Sequence, residues 1–410
     1  MGWDIRSIVV NLVRELKDPK SSKEIMASRG SQAQELLNLL QDLLDLDSFS
    51  IVKPLMCKTL VVLSQKSGLH PRCFPIMELQ KVGQQVDGGG FADIWKGLVR
   101  GQSVSVKIMR IFRKDEVAAV LKGFSREALI WRQLCHPNLL PFFGLYKMED
   151  RLCLVSPWMD NGNIMQYLSN QSPNIVRRLS LILDVARGLQ YLCEKNVVHG
   201  DLKAARTQVQ INILVTPSGR ACICDFGLAS IVNEITLRLH STTQAQGGTA
   251  RYYAPELFQE NSKKNFASDV YAFACVCTEV YVVMEILSGE VPFHELPNDM
   301  AVMFKTLHGE HPTRPPSCSG TTQLDTLWKL LQNCWSGKAD MRPTAAQIVE
   351  QLVAPSIGAT TTSSTTDWDE QFTCKFRRSL QDRPLLPSVN QIERIIFGDG
   401  QLDFCSFDLF

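Results

Sequence analysis

Several short stretches of this 410-residue chain hold side chains and glycines at spacings that could do chemistry. The run VDGGGFADIWKG sets Gly88, Gly89 and Gly90 in a row. Glycines let backbone N–H groups approach a phosphate closely enough to bond it, and they serve equally well in a hairpin turn. VSVKIM places Lys107 in an alternating, strand-like pattern, and FSREALIWRQL places Glu127 on a helical one. A carboxylate held near a lysine can steady its ammonium against a phosphate. VVHGDLKAA gathers His199, Asp201 and Lys203, and ACICDFGLA leads to Asp225. The pairs Cys222/Cys224 and Cys275/Cys277 sit in apolar runs, where packing explains them better than metal binding.

The elements that must position these groups divide the chain in three. Up to about Gly68, apolar residues recur at helical spacing, as in ELLNLLQDLLDL, and GLHP supplies a stop. That leucine stripe is either a partner-binding face or a helical hairpin packed on itself or its neighbour, the plainer reading. From Met77 to Leu352, strand-like runs come first and helical patterns come after them. GATTTSSTTD then reads as a linker, and the apolar clusters FRRSL and IERIIF beyond it suggest a tail that docks on the rest of the chain or on a partner.

Composition excludes several classes. Lys and Arg number 43 against 42 Asp and Glu, so no global charge draws in nucleic acid or an anionic membrane. The longest apolar runs are short and broken by Glu, and the opening residues lack the regions of a signal peptide. Met-Gly at the start invites a myristoyl reading, which Arg6 defeats by standing where Ser or Thr is required. Thirteen cysteines without a CxxC pair fit neither a disulfide framework nor a zinc site. A cytoplasmic or nuclear protein is expected.

Met77 to Leu352 resembles a eukaryotic protein kinase of the tyrosine-kinase-like Ser/Thr branch, of the type expanded in mushroom-forming fungi. The motifs stand in the family's order over about two thirds of the chain. The resemblance implies an α+β, bilobal fold preceded by a small helical region: residues 1–75 helical, 76–354 kinase domain, 355–410 linker and tail. Within the domain it implies a β-rich N-lobe at 76–156, a hinge at 157–162 and a helical C-lobe at 163–354.

It also implies roles. Gly88, Gly89 and Gly90 would cover the phosphates of ATP, with Asp87 and Ala92 replacing two of the family's glycines. Lys107 would bind phosphate and pair with Glu127, and Trp131, a turn further on, would face the same core. Ile94, Ser105, Ser156, Trp158, Met159 and Leu214 would line the nucleotide pocket, although LCLVSPWMDNGN fits a plain strand and turn as well. Asp201 would accept the substrate hydroxyl's proton, Lys203 would lie by the transferred phosphate and favour Ser/Thr, and Asn212 and Asp225 would hold Mg²⁺ or Mn²⁺. Gly200 replaces the arginine that reads an activation-loop phosphate. Glu256 would pair with Arg342, and Asp269 would tie down the catalytic loop. Cys224 would lie behind the nucleotide, reactive or simply inert.

Two irregularities interrupt the pattern. The metal-holding Asn stands five positions after the catalytic Asp in the family but eleven here, as if Arg206 to Ile211 were inserted. These residues carry no Pro or Gly, so a clean outward bulge is not favoured, and displacement of Asn212 is expected. CVCTEVYVVMEILSGEVPF is again longer by six, taken as Thr278 to Val283. Six residues in a continuous helix turn its distal half roughly 120° out of register. Two readings remain: a Ser/Thr kinase acting on an unidentified protein substrate, or a pseudokinase keeping the fold as a binding or scaffolding module.

Overall fold

The computed structural model describes residues 5–46, 51–71, 76, 78–88, 92–109, 128–129, 131–148, 151–171, 174–204, 211–225, 249–259, 262–282, 292–314, 321–361, 366–369 and 372–380. Four helices come first: α1 (Ile5–Lys17), α2 (Pro19–Ile25), α3 (Gly30–Leu44) and α4 (Lys53–Ser67). The leucine stripe of α3 is buried, with Leu36, Leu37, Leu39, Leu40 and Leu43 all at 1% exposure or less, so it is core. Gly68 ends α4 in the left-handed region at φ 72, as the GLHP stop predicts.

A five-stranded antiparallel sheet comes next, in the order β1-β2-β3-β5-β4. Its strands are β1 (Gln80–Gly88), β2 (Ala92–Val99), β3 (Gln102–Met109), β4 (Gly144–Met148) and β5 (Arg151–Pro157). Arg100 and Gly101, both at positive φ, make the two-residue turn that fixes the β2–β3 register. In that register Ile94 lies opposite Lys107, and Ser105 lies between Lys96 and Ser156. Between sheet and helices, Ala128–Leu129 and Trp131–Arg132 are helical. Trp131 is buried and stacks on Phe142 at 4.9 Å, which is the inward face the sequence predicts.

The helical part comprises α5 (Ile164–Gln171), α6 (Ile175–Glu194), α7 (Phe266–Val282), α8 (Asp299–Leu307), α9 (Thr322–Cys334) and α10 (Ala345–Val353), with the β6–β7 hairpin (Ile213–Val215, Ala221–Ile223) beside α6. This α+β order matches the expectation. Asp184 on α6 is fully buried and takes Arg220 through Nε at 2.8 Å and the Ala221 N–H at 3.0 Å, pinning that hairpin. Nothing in the sequence pattern had marked this pair.

Two expectations need correction. α7 runs unbroken through Thr278 to Val282, and Thr278 and Glu279 are buried in it. Glu279 accepts the Tyr252 hydroxyl at 2.5 Å, so this part of the stretch belongs to the core, and Val283 lies outside the described residues. The supposed linker is also not free of packing. Ile357 and Ala359 are buried at 1% and 2%, Asp367 accepts the Ser218 N–H at 2.9 Å, and Trp368 is buried at 4%. A final helix, α11 (Phe372–Leu380), then stacks Phe376 on Phe143 at 3.7 Å, within the apolar cluster of the sheet. Cys222, Cys224, Cys275 and Cys277 are all buried among apolar neighbours, which is the packing reading.

Candidate active site

The site is built from the loop at 199–204, the β6–β7 hairpin and the sheet. Asp269, in the first turn of α7 and 5% exposed, accepts the N–H groups of His199 at 2.7 Å and Gly200 at 2.8 Å. Two backbone donors on one buried carboxylate fix the loop's direction. The Asp201 N–H donates to His199 Nδ1 at 3.1 Å, so Nε2 carries the proton and donates to the Cys224 carbonyl at 3.1 Å. Burial lowers the His199 pKa to about 4, so the ring stays neutral in this tautomer. One imidazole thus ties the loop bearing Asp201 to the strand end bearing Asp225.

Lys203 Nζ donates to Asp201 Oδ2 at 2.7 Å, leaving the carboxylate 22% exposed while the lysine is nearly covered. Such a carboxylate is open on one side and can accept a hydroxyl proton there. Lys107 reaches from β3 to Asp225 Oδ2 at 2.7 Å. Asp225 itself sits at φ 61, a left-handed conformation that Asp tolerates better than most residues and that turns its side chain out of the strand direction.

Asn212 is the decisive placement. Its N–H donates to the Lys203 carbonyl at 3.1 Å, and its Nδ2 donates to the Asp201 carbonyl at 2.5 Å and lies 3.4 Å from Asp201 Oδ2. The Cys224 N–H in turn donates to the Asn212 carbonyl at 2.9 Å. Asn212 therefore stands against Asp201 despite the six extra positions, and the displacement expected from spacing is not seen at Asn212, while residues 205–210 lie outside the described residues. The reason is energetic. Widening a closed loop by six residues costs on the order of 1 kcal/mol, less than the bonds that seat Asn212 return.

Asn212 is 1% exposed, and its Oδ1 has no hydrogen-bond partner among the described residues. A buried amide oxygen of this kind is a hard donor awaiting a cation. With the Asp225 carboxylate nearby it fits Mg²⁺ or Mn²⁺, which take a carboxylate, an amide oxygen, waters and phosphate oxygens rather than a closed protein cage.

The nucleotide wall is less fully placed. Ser156 and Met159 are buried, while Ile94, Ser105, Trp158 and Leu214 are half-buried around it. The Trp158 N–H donates to the Ser103 carbonyl at 3.3 Å, which ties this stretch to β3. Gly88 lies in β1 opposite Asp93, where β1 carries register shifts. Gly89, Gly90 and Glu127 lie outside the described residues. Cys224 is buried and its thiol pKa is pushed well above normal by burial, so it is the inert alternative that the structure supports. Arg342 grips Glu256 through two bonds of 2.8 and 2.7 Å, a structural pair as predicted. Sequence reasoning missed Lys264, whose chain crosses over Gly200 and whose ammonium lies 5.6 Å from the Tyr253 ring centre. Only its closeness in sequence to Asp269 could have drawn attention to it.

Comparison with known proteins bears on this arrangement. The family model described as protein tyrosine and serine/threonine kinase matches residues 80–352. "Serine/threonine-protein kinase STY17" of Arabidopsis thaliana is 30% identical over 278 residues, 67% of this chain and 44% of its own length. "Serine/threonine/tyrosine-protein kinase HT1" of the same plant is 29% identical over 66% of this chain and 65% of its own. "Probable serine/threonine-protein kinase drkC" of Dictyostelium discoideum is 29% identical over 67% of this chain and 34% of its own. The chain thus spans less than two thirds of the length of each of these relatives.

Proposed function

The chain belongs to the protein tyrosine and serine/threonine kinase family, and from that membership we propose that it transfers the γ-phosphate of Mg·ATP to a Ser or Thr hydroxyl of a protein substrate. The observation that carries the reading is the seating of Asn212 against Asp201 with its Oδ1 turned to no protein partner among the described residues. A loop that had lost its chemistry would have no reason to rebuild this contact across an insertion.

In this reading the bound metal supplies neutralisation of the phosphate charge. The protein's own groups do the rest. Asn212 Oδ1 and the Asp225 carboxylate would hold the ion, and Lys107, 2.7 Å from Asp225, would bind phosphate oxygens. The open side of Asp201 accepts the hydroxyl's hydrogen bond and takes its proton, while Lys203 keeps that carboxylate oriented and faces the phosphate being moved. His199 and Asp269 hold the loop so that these groups meet the substrate already aligned, which is where most of the rate in phosphate transfer arises. Transfer of this kind takes place where ATP is abundant, in the cytoplasm or nucleus. Among the described residues no helix is long and apolar enough to cross a membrane.

The test is phosphate transfer to a generic basic protein with Mg²⁺ or Mn²⁺, run beside Asp201→Asn. We expect incorporation on Ser and Thr that the substitution abolishes. Activity that survives it, or none in the parent chain under either metal, would overturn the assignment.

A further inference from the structure

Segments outside the matched region converge on one buried cation. Arg132 is 6% exposed, and its Nη1 donates to the Thr373 hydroxyl of α11 at 2.7 Å. Its Nη2 lies 3.5 Å from Asp45 at the end of α3. The neighbouring residues repeat the pattern. Gln133 donates to Gln41 of α3 at 2.8 Å, Cys135 donates to the Asp369 carbonyl at 3.1 Å, and the Trp368 indole donates to the His136 carbonyl at 2.9 Å. The N-terminal helices and the C-terminal helix are thus both fastened to one stretch, residues 132–136.

That stretch is fastened in turn to the metal-holding strand. The Trp131 indole donates to the Leu140 carbonyl at 2.8 Å, and the Leu140 N–H donates to the Ile223 carbonyl at 2.8 Å. Ile223 returns its own N–H to the Asn138 carbonyl at 2.9 Å, and the Asn138 side chain donates to the Ala221 carbonyl at 2.9 Å. Two residues past Ile223 stands Asp225. From Arg132 the link runs along the chain to Trp131, by hydrogen bonds through Leu140 to Ile223, and along the chain again to the carboxylate proposed to hold the metal.

We propose that Arg132 is a positioning residue through which the N-terminal helices and α11 together set the place of Asp225. The working catalytic unit accordingly extends from the first helix to Leu380 and is not confined to residues 80–352. The proposal rests on the kinase reading above. Its physical content is that Arg132 carries a buried positive charge whose orientation needs both Asp45 and the Thr373 hydroxyl. Loss of either lets the guanidinium, and the Trp131–Leu140 contact beside it, settle elsewhere. A shift of about 1 Å at a metal ligand is enough to cost a large factor in rate.

The experiment uses the full chain and measures transfer against Mg²⁺ and peptide concentration, with melting by circular dichroism to show folding. If the parent chain transfers no phosphate, the kinase reading fails and Arg132 is not at issue. If it does, Thr373→Val, which removes one hydroxyl and keeps the shape, is expected to lower kcat/KM for Mg·ATP about threefold to tenfold and to raise the Mg²⁺ requirement, with the peptide KM unchanged. Asp45→Asn should act in the same direction, and the double variant should be no worse than the poorer single one, since both work through Arg132. Wild-type Mg²⁺ dependence in a folded Thr373→Val chain overturns the proposal. So do effects of the two substitutions that simply multiply.

Discussion

Removing the loop between Lys203 and Asn212 tests the central placement most directly. Ile211 packs on the core and its carbonyl faces the Cys224 thiol at 3.9 Å, so the deletion should take Ala205 to Gln210 and keep Ile211. Eight residues, 204–211, now lie between the Lys203 carbonyl and the Asn212 N–H that close the loop, and two would remain. By (3/2)RT ln(8/2) the entropy of closure falls by about 1 kcal/mol, an effect of roughly 1–2 °C in melting temperature for a chain of this size. Because Asn212 already bonds to Asp201, the metal site should not move, and kcat should change by less than about threefold, or 0.65 kcal/mol in barrier. The assay is phosphate transfer at saturating Mg·ATP, with melting measured in parallel. A rise of tenfold or more would refute the reasoning. It would mean that Asn212 in the intact chain stands away from the metal and that the deletion brings it home.

Other perturbations should have larger effects. Asn212→Ala removes the bond to the Asp201 carbonyl and the proposed metal oxygen together, and should cut kcat by about a hundredfold while raising the Mg²⁺ needed for half-maximal rate. Asp184→Asn leaves the buried Arg220 without its countercharge and should destabilise the fold by about 3–5 kcal/mol in urea unfolding. The Glu279 pKa is pushed up from 4.5 to about 8 by burial. A carboxyl with a raised folded pKa favours the fold fully below its unfolded pKa and loses that contribution as pH rises through the folded one. Stability should therefore fall between pH 4.5 and about 8, and Glu279→Gln should flatten the melting temperature over that window. An unchanged slope would show that Glu279 is ionised throughout. Cys224, buried and held as a thiol, should react with iodoacetamide only on unfolding, with or without ATP.

Much of the fold was legible because it rests on local rules. The GLHP stop, the alternation of VSVKIM and the inward Trp131 depend on a few neighbouring residues, and each was placed as its pattern indicated. The candidate constellation was legible through motif order: Lys203 bonds Asp201, and His199 joins the Asp201 N–H to the Cys224 carbonyl, next to Asp225. What sequence did not reveal depends on long-range closure. The place of Asn212 is decided by its bonds with Lys203, Asp201 and Cys224, and chain spacing says nothing of that. The margins of the linker were hidden for a similar reason. A Ser/Thr-rich run looks unable to bury anything, yet Ile357, Ala359 and Trp368 at its margins are covered, Trp368 by residues more than two hundred positions away. In helix α7 the spacing marked Thr278 to Val283 as extra, and only the bond from Tyr252 shows that Glu279 is part of the core.

The glycine at position 200 shows how a missing residue can be read two ways. From sequence it is the loss of an arginine, and with it of a phosphate reader. In the structure it is a requirement. Gly200 has φ +75, where any Cβ is strained, and a Cβ there would stand 2.8 Å from Lys264 Cδ. The lysine occupies the space an arginine side chain would need, with the carboxylates of Asp201 and Asp269 pulling on its charge against the cost of its burial. Restoring arginine at 200 alone would force both the backbone and Lys264 to move, and with them the two N–H groups that Asp269 holds. A cation near Asp201 and Asp269 is thus present on the approach to α7 and not on the loop itself. The loop has kept its geometry by giving up a side chain.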